Sequence, residues 1–429
     1  MVFIDTVALA GMEDRSIRGS LSRRTLVGSV AVGLAAGTAG CLRPLLEEGG
    51  QTAGNETTED GANGAGTETE AWPAFGADRG GSGAADVTPP GDDVSDVWTA
   101  DLNGGRGNPV VADGTVYCAA RSTVRAFEAD SGEETWSSEV GLTGGLSPAL
   151  TVAGGVAFAT PGDGFLYAFD AGDGERFWSE SLTGGSGSSF ASPRLLDDVL
   201  VAADDDRVSG HDASSGEQRW SKELPNTVLG TVVDDGTAYL GILAAGAEPS
   251  VYAFDAESGE RRWTYDGVRN GSNEPTVVDG TVYGGGAGDT GTEGYVYAVD
   301  AESGAERWGT ELESPIVTSP AVTDGSLYVT DEDGGFYELG TERGDVRWRE
   351  SVWDESDRDG NPPKISAPAV ADGRIHLGTL DGRALAADAS DGSVTWSFSA
   401  ATEIRASPAV ADGRAYIVAA ETLYALGTA

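Results

Sequence analysis

Tyr252-Ala253-Phe254-Asp255-Ala256-Glu257-Ser258-Gly259-Glu260-Arg261-Arg262-Trp263 decides the fold. Tyr252-Ala253-Phe254 belongs to an alternating apolar run, the period of a strand. Gly259 falls where a tight turn needs positive φ. Asp255, four residues earlier, is placed to bond its carboxylate to the turn backbone. Trp263 then lies on the next strand. Aligned on tryptophan, the pattern returns at Trp98, Trp136, Trp178, Trp220, Trp263, Trp308, Trp348 and Trp396. The mean spacing is about 43 residues, the length of a propeller blade. From Trp136 onward a glycine precedes each tryptophan by four: Gly132, Gly174, Gly216, Gly259, Gly304, Gly344 and Gly392.

A second module lies upstream, as in Ser319-Pro320-Ala321-Val322-Thr323-Asp324-Gly325-Ser326-Leu327-Tyr328. Asp113-Gly114, Asp279-Gly280, Asp324-Gly325, Asp372-Gly373 and Asp412-Gly413 read as hairpin turns. Proline donates nothing to a sheet ladder, so the Pro strand belongs at an edge, here the edge facing a central channel. Each repeat is then four antiparallel strands: Pro strand, hairpin, second strand, Tyr-Ala-x-Asp strand, turn, Trp strand. The last repeat begins at Ser407-Pro408 and stops at Ala429 without a tryptophan, while Trp98 has no strands before it. The ends complement each other. The expected fold is all-β: an eight-bladed propeller over 72–429, closed by the Trp98 strand joining the C-terminal three.

The pattern Ala-x-Asp-Ala-x-x-Gly-x-x-x-Trp resembles the quinoprotein-type (PQQ-repeat) β-propellers over nearly all of 72–429, and Trp72-Pro73-Ala74-Phe75-Gly76-Ala77-Asp78 looks like the lead-in to such propellers. The resemblance implies that the tryptophans stack between blades. It also implies two kinds of member, enzymes and non-catalytic scaffolds, because function is separable from fold. The enzymes commonly carry a neighbouring cysteine pair over the cofactor and large insertions, and this sequence has neither. The leading expectation is a non-catalytic protein-binding or assembly scaffold, similar to envelope-assembly propeller lipoproteins. The alternatives are a PQQ-dependent dehydrogenase of alcohols or sugars, which would use the quinone and calcium, and an extracellular glycan-binding propeller.

Composition and the N-terminus bear on location. The net charge is −43 and the only lysines are Lys222 and Lys364, which excludes nucleic-acid partners through phosphate repulsion. The excess acid runs through every repeat, as in a protein adapted to high salt. Ser22-Arg23-Arg24-Thr25-Leu26-Val27 resembles a twin-arginine export signal, with Arg23 and Arg24 as its pair. The apolar run Gly28 to Gly40 is shorter than the ~20 residues of a membrane span. It ends in Thr38-Ala39-Gly40-Cys41, which resembles a lipobox. Residues 1–41 therefore read as a signal peptide, Cys41 as a lipidation site, and the mature chain as a monomer anchored to the outer face of the membrane by lipid alone. Residues 42–71 are Gly-, Glu- and Thr-rich and read as a disordered acidic tether.

Hairpin direction sorts the loops. The Asp-Gly and Asp-Ala-x-x-Gly turns share one face and are short. The other face carries irregular links, with 241–250, 284–294 and 349–366 the most irregular, and a protein partner is expected there. Glu355, Asp357, Asp359 and Asn361 alternate as calcium-loop ligands do, but Ser366 stands where the closing glutamate belongs. His211 and His376 replace aromatic residues of the repeat and read as structural, as does Cys118 within Thr115-Val116-Tyr117-Cys118-Ala119-Ala120.

Overall fold

The computed structural model describes residues 71–428, except 105–106, 121, 142–148, 183–190, 244–247, 269 and 353–363. The export signal with Arg23 and Arg24, Cys41, the tether over 42–70, and the calcium-loop candidates Glu355, Asp357, Asp359 and Asn361 lie outside the described residues.

The chain forms eight antiparallel sheets arranged as the blades of a propeller. Blade 1 consists of Val110–Ala112, Thr115–Ala119, Thr123–Glu128 and Glu134–Glu139, from inside to outside. Blades 2 to 7 repeat it, with inner strands starting at Ala149, Arg194, Val228, Thr276, Ala321 and Ala369. Blade 8 takes Ala409–Ala411, Arg414–Ala419 and Thr422–Gly427 from the C-terminus and Ser95–Asp101 from the N-terminus. Trp98 faces Ala425 in that ladder, so the ring closes by joining its two ends. Blade 5 gains a short fifth strand, Asn270–Ser272, and blade 7 gains Ala84–Ala85, which runs parallel to Ala369–Ala371.

The turn chemistry follows the sequence. Asp113 and Gly114 both have positive φ (49° and 71°), the geometry of a two-residue hairpin. Asp255 accepts the Ser258 amide at 2.9 Å, and Asp212, Asp300 and Asp388 accept turn amides in the same way. Arginine just before the tryptophan completes the turn: Arg262 and Arg307 each bind their blade's Asp255 or Asp300 at 2.8 Å.

Blades are joined by tryptophan. Its indole donates to a backbone carbonyl in the next blade's outer turn: Trp98 to Ala129, Trp136 to Ala171, Trp178 to Ala213, Trp220 to Ala256, Trp263 to Ala301, Trp308 to Thr341 and Trp348 to Ala389. The turn glycine lies flat against the same ring. A Cβ on Gly259 would sit 2.6 Å from Trp220 Cδ2, so both positive φ and contact with the neighbouring indole require glycine there. Trp396 is the exception. Blade 8 is assembled from two chain ends and has no outer turn, so the buried Trp396 Nε1 has no hydrogen-bond partner among the described residues.

The inner edge departs from the expectation of a free strand facing an open channel. Residues 72–88 run around the axis and accept hydrogen bonds from blade after blade. Val111 donates to Trp72, Val152 to Pro73, Val233 to Arg79, Val277 to Gly80, Val322 to Ser82, Val370 to Gly83 and Gly413 to Thr88. The physical reason is that buried backbone donors must be satisfied, and this segment supplies the carbonyls.

Candidate functional site

Two regions compete for function: the channel and the face of irregular links. In the channel, the centre is Arg194 at the start of the blade 3 inner strand. Its side chain is fully buried. Nε donates to Thr231 O of blade 4 at 2.9 Å, Nη1 to Asp78 O at 2.8 Å, and Nη2 to Phe75 O and to Glu274 Oε1, each at 2.6 Å. Glu274, from the start of blade 5, is only 5 % exposed. One guanidinium thus ties the axial segment to three consecutive blades. Gly230 makes room for the carboxylate, since a Cβ there would fall 2.1 Å from Glu274 Cβ. Burial raises the Glu274 pKa and the Arg194 charge opposes it. Because a lone buried guanidinium is costly, the two groups are held as a mutually dependent pair.

This centre does not fit a quinone and calcium. Its carboxylate is already engaged by Arg194, and the axis beside it is filled by Phe75 to Asp78. Cys118 is fully buried, its thiol pushed up to about 12 by burial, so it is an inert strand residue. Among the described residues no three His, Cys, Asp or Glu side chains converge as a metal site would require.

Both histidines are structural. His211 bonds Ser209 Oγ at 2.8 Å and Gly216 O at 2.9 Å, and burial lowers its pKa. His376 lies against the Trp396 ring and bonds Ala369 O, and burial pushes its pKa down to about 4.

On the face of irregular links, the structure redraws two of the three segments. Within 284–294, Thr281–Ala287 is a continuous strand that pairs with Gly294–Asp300, leaving only a short turn at 288–293. The glycines that suggest a loop are there for space: a Cβ on Gly284 would lie 2.1 Å from the Tyr297 hydroxyl, and one on Gly285 2.7 Å from Ile316. Within 349–366, Val346–Ser351 is the blade 6 outer strand and Ile365 bridges to Thr379. In 241–250, Gly241 and Ile242 end a strand and Ser250 donates to Tyr265 O at 2.8 Å.

What is described of this face is acidic and stitched to itself. Lys364 Nζ reaches Glu332 at 3.0 Å, Ser314 donates to Asp333 at 2.9 Å, and Asn226 donates to Glu248. Asp331 is fully buried and closes its own turn: it accepts the Asp333 and Gly335 amides and the Tyr337 hydroxyl.

Sequence reasoning missed Arg194 and Glu274. The signal was present: arginine stands where Ala321 and Ala369 follow the proline in other repeats, and Glu274 stands where Ser319 and Ser407 precede it.

No curated protein matches the chain. Among solved structures, BamB from Moraxella catarrhalis superposes with a TM-score of 0.60 at 17% identity, covering 78% of this chain and 98% of that one. A europium-containing methanol dehydrogenase gives 0.67 at 14% identity, covering 84% and 99%. The quinohemoprotein alcohol dehydrogenase ADHIIG from Pseudomonas putida HK5 gives 0.62 at 15%, covering 84% and 81%. Identities this low establish a shared fold and leave the choice between scaffold and dehydrogenase to the site. The model of the family described as outer membrane protein assembly factor BamB matches residues 87–224, 197–292, 247–367 and 350–428. With those matches running through every blade, the chain belongs to the BamB family of propellers.

Proposed function

We propose that this protein is a non-catalytic, lipid-anchored scaffold outside the cytoplasm that binds a protein partner through the face of irregular links. Family membership supports an assembly role. The observation that carries the reading is the occupied Asp-Gly-turn end of the axis: residues 72–88 hydrogen-bond to the inner edges of the ring there, and Arg194 locks them to Glu274. A cofactor centred there would have to displace both a backbone segment and a buried ion pair. The twin-arginine and lipobox motifs support an external address, with Cys41 as the anchor.

The test is a pair of measurements on the full chain in high salt. Carboxylate-directed chemical crosslinking on native membranes should join the segments 241–250, through Glu248, and 349–366 to one recurrent protein. A dye-linked dehydrogenase assay with added PQQ and calcium should show no turnover of alcohols or sugars and no quinone absorption retained after gel filtration. Retained quinone with turnover would overturn the scaffold reading in favour of the dehydrogenase.

A further inference from the structure

A propeller exposes eight outer strands, each with a row of unpaired backbone groups. Such edges invite pairing with another chain, and charged side chains are the usual defence. Seven of these strands carry that defence. Glu134 and Glu139 stand on blade 1, Arg176 and Glu180 on blade 2, and Arg219, Lys222 and Glu223 on blade 3. Arg261 and Arg262 stand on blade 4, Glu306, Arg307 and Glu311 on blade 5, Arg347, Arg349 and Glu350 on blade 6, and Asp96 and Asp101 on blade 8.

Blade 7 lacks that charge and keeps only the β-bulge at Thr395, between Val394 and Trp396. Its outer strand, Val394–Ser399, reads Val-Thr-Trp-Ser-Phe-Ser without one charge. The uncharged run extends from Gly392 to Thr402, between Asp391 and Glu403, in a chain of net charge −43. The strand has no proline, and it is rich in β-branched and aromatic residues. Val394, 53% exposed, is the most exposed large hydrophobic side chain among the described residues. The adjacent strand carries a charge only at its two ends: Arg383, opposite Ser399 and neutralised by Asp381 at 2.9 Å, and Asp388, one residue past the partner of Val394 and held in its own turn by Ser390.

We infer that this edge is a contact between two copies of the chain, pairing antiparallel across a twofold axis to form one continuous sheet. Two points select a second copy as the occupant. First, two bodies each of charge −43 repel wherever their surfaces meet, and this is the one outer strand that brings no charge of its own to the approach. Second, the strand complements itself. A twofold axis normal to the sheet keeps each residue on its own face, so odd positions pair with odd and even with even. Centred on Ser397, the register sets Ser397 opposite Ser397 of the second copy and Trp396 opposite Phe398 of the second copy; Thr395, in the bulge, falls outside this alternation. A hydroxyl pair and an aromatic pair are both favourable across strands. Trp396 and Phe398 face the blade 8 seam, where Phe398 already packs on Tyr424. Thr395 and Ser397 are exposed, so pairing adds contacts without repacking the core. The interface is isologous and closes at two copies.

Sedimentation velocity on the full chain in high salt tests this. The wild type should show a concentration-dependent dimer that strengthens with added salt, since salt screens the repulsion and the interface holds no ion pairs. Ser397→Asp sets two like charges face to face across the axis and should weaken the dimer by at least about tenfold. Thr264→Asp, at the matching exposed position of the blade 4 outer strand, should leave it unchanged. Circular dichroism melting confirms that both variants stay folded. A wild type that is monomeric at every concentration and salt, or a dimer that survives Ser397→Asp, would overturn the inference.

Discussion

The Trp98 indole donates to the carbonyl of Ala129 at 2.9 Å, joining the first strand of the ring to blade 1 from the far side of the closure. Trp98 sits in a strand whose ladder partner, Thr422–Gly427, is the last strand of the chain. The same indole packs on Gly132 of blade 1 and lies 6.0 Å from the Tyr416 ring of blade 8.

Trp98→Ala should therefore destabilise the whole ring by about 3–5 kcal/mol, as much as Trp263→Ala within a continuous blade. Denaturant melts of both variants in the same high-salt buffer make the comparison. A Trp98→Ala protein as stable as the wild type would mean that the N-terminal strand does not hold the ring shut.

Two turn glycines separate two demands. Gly259 needs positive φ and contact with Trp220, whereas Gly413 needs positive φ (71°) but a Cβ there would meet nothing within 4 Å. Gly413→Ala should cost about 1–2 kcal/mol from backbone strain alone. Gly259→Ala adds a steric collision with the indole and should cost clearly more. Equal losses in thermal melts would show that the Trp220 contact plays no part.

The channel pair predicts strong coupling. Arg194→Met leaves Glu274 buried without its counter-charge and should cost about 3–5 kcal/mol. Replacing both, Arg194→Met with Glu274→Met, should recover a large part of that loss. A double-mutant cycle with additive effects would deny the interaction.

Acid sensitivity has a defined sign. Burial pushes the His376 pKa down to about 4 from an ordinary 6.5, so between those values the unfolded chain binds the extra proton. Stability contributed by neutral His376 is full above about pH 6.5 and is lost as pH falls toward 4, a loss of roughly 3 kcal/mol. Lower still, Asp255, held down to about 2 first by its Arg262 hydrogen bond, loses its contribution as pH falls from about 4 through 2. His376→Phe should flatten the slope between pH 6.5 and 4 and leave the lower one; chemical denaturation across pH reads both. An unchanged upper slope would place the titration elsewhere, at His211 for instance.

The ring was legible because tryptophan recurs in all eight blades, the turn glycine in seven and the turn aspartate in five, at fixed offsets. What those offsets conceal is direction. Gly259 stands four residues before Trp263 yet touches Trp220, because the contact runs between blades and sequence spacing reports only contacts within one. The axial segment was harder still. Trp72 to Asp78 has neither strand periodicity nor repeat partners, and its bonds are mostly made by backbone carbonyls that leave no residue signature. Arg194 and Glu274 were visible only as two opposite charges breaking the repeat at neighbouring positions.

The scaffold reading depends on the Asp-Gly-turn end of the axis being filled by the chain's own residues 72–88, and amide hydrogen exchange on the full chain in high salt tests that most directly. The amides of Val111, Val233, Val277, Val322 and Val370, which donate to this segment, should exchange as slowly as amides in the middle strands of their blades. Fast exchange at these five, as on an open strand edge, would mean that this end of the channel is empty and would contradict that reading.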